Sequence, residues 1–123
     1  MCSININNSA DETLRCLSLK DREMIVKRLS HFAEEASLEN RGALDISPPT
    51  RFTGDLKPVK KIRIGRHRVY YTGSHTQCTY NAVHIKKFKK SGVDDEDDKR
   101  FQKALIKAMQ GPNIVNSIGQ ISM

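Results

Sequence analysis

The 123-residue chain is 37% hydrophobic and 28% charged and has no Trp, which is material for one domain around a modest, mostly aliphatic core. No apolar run approaches the roughly 20 residues that span a bilayer, and the opening MCSININNSADE lacks the basic and apolar regions of a secretory signal. Three cysteines without paired spacing (Cys2, Cys16, Cys78) read as reduced thiols of a cytoplasmic protein, and the net charge of +7 points to a polyanionic partner.

In chain order, residues 3–6 (SINI) alternate polar and apolar and predict a short strand. Ser9 reads as a helix N-cap with Glu12 at capping-box spacing, opening a short helix to about Leu17 with Ala10, Leu14 and Leu17 on one side. Ser18 reads as a second cap. The helix after it, about 19–36, has an apolar stripe of Ile25, Leu29, Phe32 and Ala33 opposite Lys20, Glu23, Lys27 and Glu34. Two helices this close form a helical hairpin. His31 and Met24 read as surface or packing residues. Residues 39–53, with Gly42 and Pro48-Pro49, read as a connector with a short strand or turn near 43–46.

The stretch 57–71, KPVKKIRIGRHRVYY, predicts a β-hairpin turning at Gly65. Ile62, Ile64, Val69 and Tyr71 supply one face, and Lys61, Arg63, Arg66 and Arg68 supply cations. A turn follows at 72–77, then a strand, CTYNAVHI, over 78–85 that runs into KKFKK. The acidic run DDEDD (94–98) opens a helix to about Gln110, with Phe101, Ala104, Leu105, Ala108 and Met109 as its apolar stripe. Gly111-Pro112 ends it, so residues 1–110 read as one domain and 111–123 as a C-terminal tail. The order is β-α-α-β-β-β-α. It predicts a small α+β domain with a four-stranded, mainly antiparallel sheet and the N-terminal helical hairpin packed on one face.

The charge is concentrated. Residues 57–93 hold ten Lys/Arg and no Asp or Glu, leaving eleven Lys/Arg against fourteen Asp/Glu elsewhere. A basic segment on a near-neutral scaffold is the electrostatic footprint of nucleic-acid binding, and a solvated charged surface is the plainer alternative. Chemistry on a bound phosphodiester needs a base, cations for the developing charge and an acid. Crowded lysines, or His84 with its near-neutral pKa, supply acid and base, and arginines hold the phosphate. The segment has no carboxylate to bind a metal, so no cofactor is expected. The acidic run 94–98 either neutralises nearby lysines, binds a basic partner or simply starts its helix.

Residues 52–71, FTGDLKPVKKIRIGRHRVYY, resemble the pattern L-x-G-x-L … R-x-G-x-x-R-V-x-Y of the RelE/ParE superfamily of bacterial toxins. The match is carried by Gly54, Leu56, Arg63, Gly65, Arg68, Val69 and Tyr71, with Phe52 in place of the first leucine. The strand end HIKKFKK before a terminal helix is more similar to the HigB branch and its phage-derived relatives. The resemblance implies a RelE-like fold and a toxin of a toxin–antitoxin pair: an mRNA interferase that inhibits translation by entering the ribosomal A site, against 16S rRNA of the 30S subunit, and cutting mRNA there with the RNA's own 2′-OH as nucleophile. It also implies a cognate antitoxin as partner, a cytoplasmic location, no membrane and no metal. ParE members share the fold but inhibit DNA gyrase, so a ParE-like inhibitor and a non-catalytic RNA- or DNA-binding module are the alternatives.

Carried onto this chain, the resemblance places Lys61 and Arg68 where relatives hold catalytic cations, with Arg68 as ligand of the phosphate and transition state. Lys87 and Lys89 fall with His84 among the catalytic candidates. Lys60, Arg63, Arg66, Lys86 and Lys90 fall among the RNA-binding ones. The C-terminal tyrosine that some relatives stack on a base is missing. Phe88 or Tyr80 would replace it, unless both are core residues. His67 and His75 read as surface residues, with His67 close enough to the hairpin turn to touch phosphate.

Overall fold

The computed structural model describes residues 3–39, 52–74, 79–87, 96 and 98–115. The element order is β1 (Ser3–Asn7), α1 (Asn8–Cys16), α2 (Leu19–Glu39), a 3-10 turn at Gly54–Leu56, β2 (Lys60–Ile64), β3 (His67–Ser74), β4 (Thr79–Lys87), α3 (Lys99–Met109) and β5 (Asn113–Val115). The sheet order is β2-β3-β4-β1-β5. β2, β3 and β4 form the expected antiparallel meander, and β1 pairs with β4 in parallel. The four expected strands are joined by a three-residue fifth: Asn113–Val115, at the start of what the sequence presents as a tail, pairs with β1.

The sheet has a core on each face. On one, α1 and α2 lay Ala10, Leu14, Ile25, Leu29, Phe32 and Ala33 against Ile4, Ile6, Ile62, Ile64, Val69, Tyr71, Tyr80, Ala82 and Ile85. This is the predicted helical hairpin on its predicted stripe. Arg22 fixes the corner between the helices, donating from Nε to the Leu14 carbonyl (3.1 Å), which also accepts from Leu17 N (3.2 Å), and from Nη2 to the Arg15 carbonyl (3.3 Å) at the end of α1. Ser18 caps α2 as expected, accepting from Asp21 N at 3.2 Å. The cap of α1 is Asn7, two residues before the expected Ser9. Asn7 Oδ1 accepts from Ala10 N (3.1 Å), while its Nδ2 donates to the Ala108 carbonyl of α3 (2.6 Å). One buried amide thus ties the start of α1 to the end of α3.

On the other face α3 covers Tyr70 and Val83 with Phe101 and Leu105, and Phe52, Leu56 and Val59 complete this second cluster. Tyr70 and Phe101 meet edge to face, centroids 5.1 Å apart. The helix begins at Lys99, after the acidic run, with Asp98 accepting from Arg100 N at 2.8 Å. Gly65 makes the β2–β3 turn at φ +58°, and a Cβ there would stand 2.7 Å from Met24 Cε.

Residues 40–51, with the expected connector strand, lie outside the described residues. So do Cys2, His75, Cys78, Phe88, Lys89, Lys90, the rest of the acidic run apart from Glu96 and Asp98, and residues 116–123.

Candidate nucleic-acid interface

Pleating decides which cations share a face. With Ile62, Ile64, Val69 and Tyr71 turned to the helical hairpin, Lys61, Arg63 and Arg68 turn to the α3 face with Tyr70. The register makes two rungs across three strands. Arg63 pairs with Arg68 and Arg68 with Lys86; one step further along, Lys61 pairs with Tyr70 and Tyr70 with His84. Neighbouring strands lie about 4.8 Å apart, so each rung is about 10 Å wide at the backbone.

His84 reaches this face through a β-bulge. Tyr70 pairs with His84 but Tyr71 pairs with Ala82, leaving Val83 as the extra residue of β4. Up to Ala82 the even-numbered residues face the helical hairpin. Beyond the bulge Ile85 takes over that face, and His84 and Lys86 turn toward α3. The sequence carries this signal in the odd spacing between Ala82 and Ile85.

Lys86 Nζ lies 4.4 Å above the centre of the Phe101 ring, a cation–π contact, and the His84 ring centre is 5.8 Å from that of Phe101. His84 Nδ1 is 3.0 Å from Ser9 Oγ. Burial, and then the Lys86 charge, hold its pKa below the ordinary histidine value, favouring the neutral ring. Arg68 is buried at the centre of its rung, Lys86 is half-buried and Arg63 is exposed, so the rung runs from the protein interior to solvent.

Lys61 is buried too, and its Nζ pairs with Glu96 Oε1 at 2.8 Å, with side-chain exposures of 5% and 0%. Gln102 Nε2 donates to the Glu96 carbonyl at 2.7 Å and holds that residue against α3. Glu96 is the site residue that reading the basic segment alone misses, since its carboxylate comes from the acidic run 35 residues away. Of the readings of that run, neutralisation of a nearby lysine describes Glu96, and the helix-start reading describes Asp98.

Other predicted residues fall elsewhere. Lys60 and Lys87 are exposed and alternate away from the α3 face, and Arg66 is exposed in the turn. Lys89 and Lys90 lie outside the described residues. His67, expected at the surface, is 4% exposed, and its Nδ1 has no hydrogen-bond partner among the described residues. It shares the parity of Val69 and so belongs to the sheet face that packs the helical hairpin. Tyr80 cannot stack on a base, because it is buried with Phe32 and Tyr71, at centroid distances of 5.7 and 6.3 Å. Its burial raises the phenol pKa. Among the described residues no three His, Cys, Asp or Glu side chains gather to hold a metal ion, and no helix is long and apolar enough to cross a membrane.

Among solved structures the fold is similar to that of the isolated E. coli RelE toxin, crystallised in a P21 form. The TM-score is 0.53 at 14% sequence identity, over 87% of this chain and 98% of that one. No protein-family model and no curated protein matches the sequence.

Proposed function

We propose that this chain is the toxin of a toxin–antitoxin pair, a HigB-like, ribosome-dependent mRNA endoribonuclease. The observation that carries the reading is the rung of Arg63, Arg68 and Lys86, one residue pair from Lys61 and His84 on the same face. The likeness in fold to the RelE toxin and the matching motif residues support it.

In the proposed reaction the 2′-OH of the RNA attacks the adjacent phosphorus and the P–O5′ bond breaks. The products are a 2′,3′-cyclic phosphate and a 5′-hydroxyl; one proton leaves the 2′-oxygen and one reaches the 5′-oxygen. Arg68, anchored in the interior, is placed to hold the phosphorane oxygens with little reorganisation, with Arg63 and Lys86 beside it. Lys61 and His84 are the neighbouring groups that exchange protons or hydrogen bonds with the reacting oxygens. Lys61 enters from a paired state, so the substrate phosphate competes with the Glu96 carboxylate for its ammonium. Lys89 stays a catalytic candidate at the strand end, and Lys60, Arg66, Lys87 and Lys90 extend the surface for RNA. A cognate antitoxin covers this face or blocks docking in the A site.

Primer extension on an mRNA, with and without translating ribosomes, tests the reading. Codon-registered cuts that need ribosomes and vanish in Arg68→Ala are the expected result. Cuts without ribosomes would instead make the protein a free ribonuclease. No cuts under either condition, from protein whose expression arrests growth, would overturn the nuclease reading and move the question to gyrase supercoiling.

A further inference from the structure

Ser9 and His84 lie 75 residues apart in sequence, yet Ser9 Oγ and His84 Nδ1 are 3.0 Å apart. Ser9 is the second residue of α1, so no helical carbonyl stands four residues before it to take its hydroxyl proton. Its hydroxyl's hydrogen-bond partner among the described residues is His84. The start of α1 is also the positive end of a helix dipole, which opposes a proton on the ring nitrogen turned toward it. Lys86 adds positive charge from His84's own strand, and a helix N-terminus is known to keep a catalytic imidazole neutral. Around the ring stand Tyr70, paired across from β3, and Phe101 of α3. Beyond Ser9, Glu12 and Lys107 line a groove of about 420 Å³ between α1 and α3. The favoured arrangement has Ser9 donating to Nδ1, which leaves the ring proton on Nε2.

We infer that Ser9 is a positioning residue that holds His84 as a neutral imidazole with its proton on Nε2, so that His84 gives a hydrogen bond to the reacting phosphate and does not take the proton of the 2′-OH. The inference rests on the nuclease reading above and narrows it. His84 stabilises charge on a phosphoryl oxygen, no proton moves to or from it, and the base is another group of the face.

Two measurements test this. Long-range ¹H–¹⁵N correlation on histidine-labelled protein, assigned with His84→Gln, reads the tautomer and pKa of His84 whether or not RNA is cut. The expected result is the Nε2–H tautomer in the wild type and in Ser9→Thr. In Ser9→Ala, which removes a donor to the neutral ring, the pKa rises and the tautomers mix. A wild-type Nδ1–H tautomer, or a Ser9→Ala spectrum unchanged from wild type, would overturn the inference. In the ribosome cleavage assay His84→Ala loses about a hundredfold or more, the usual cost of one oxyanion donor. His84→Gln, which keeps an N–H at that reach, loses much less, and Ser9→Thr recovers what Ser9→Ala loses. Equal failure of Gln and Ala at position 84 would make His84 the base and overturn the inference. If even the wild type cuts no RNA, the nuclease reading falls, while the spectra still decide the Ser9–His84 pair.

Discussion

Lys61 and Glu96 are two charges that the fold has taken almost wholly out of water, and such a pair is a poor source of net stability but a costly one to break. Glu96→Gln leaves an ammonium buried opposite a neutral amide, and the expected loss in urea unfolding is about 3–5 kcal/mol. Replacing both partners by apolar residues, Lys61→Met with Glu96→Leu, restores most of it. If the single and double variants are equally unstable, the carboxylate matters through its contact with α3 and not through the lysine. His84 makes a second prediction. Its folded pKa lies below the unfolded value of 6.5, so as pH falls the unfolded chain binds the proton first. The stability it contributes is complete above that value and is lost as pH falls through the folded pKa. The urea midpoint should therefore drop as pH falls below about 6.5, and drop less in His84→Gln. An equal drop in both proteins would assign the effect to other groups.

Among the elements, α3 both completes the second core and roofs the cationic face. Leu105 is fully buried beneath it. Leu105→Ala is expected to cost about 2–5 kcal/mol, a core truncation that also loosens the cover over Tyr70 and Val83. Its check is the unfolding midpoint together with hydrogen exchange at β3 and β4 amides. Unchanged exchange would mean that α3 is held by its Asn7 tie and not by this packing. The elements were legible in the sequence wherever a period ran unbroken. The 3.6-residue stripe of α2 and the two-residue alternation of the hairpin place Ile25, Leu29, Ile62 and Val69 on their observed faces. The cap of α1 was not legible, because Asn7, Ser9 and Glu12 all carry capping chemistry. Only the contact with Ala108, 101 residues away, chooses Asn7. For the same reason the site was half legible. Arg63 and Arg68 share a face by simple alternation, whereas His84 joins them through a bulge and Glu96 through a tertiary contact. His67 misleads because a polar residue beside a turn ordinarily faces solvent, and here it is buried.

For the whole molecule, the open question is how far the RNA-binding surface extends beyond the face roofed by α3. The basic segment supplies cations to both faces of the sheet and to the turn: Lys60, Arg66 and Lys87 are exposed but do not share the rung of Arg63, Arg68 and Lys86. Each phosphate neutralised on single-stranded RNA contributes about 0.7 to the slope of log affinity against log salt. If the strand wraps from the α3 face around the edge strand β2 and its turn, Lys60→Ala, Arg66→Ala and Lys87→Ala each flatten that slope by about 0.7, with the maximal cleavage rate retained. Arg68→Ala should do the reverse, removing cleavage while changing the slope by no more than one such step. Fluorescence anisotropy of a labelled RNA across a salt series separates the cases. Three unchanged slopes would confine the RNA to the α3 face and leave Lys60, Arg66 and Lys87 to a protein partner.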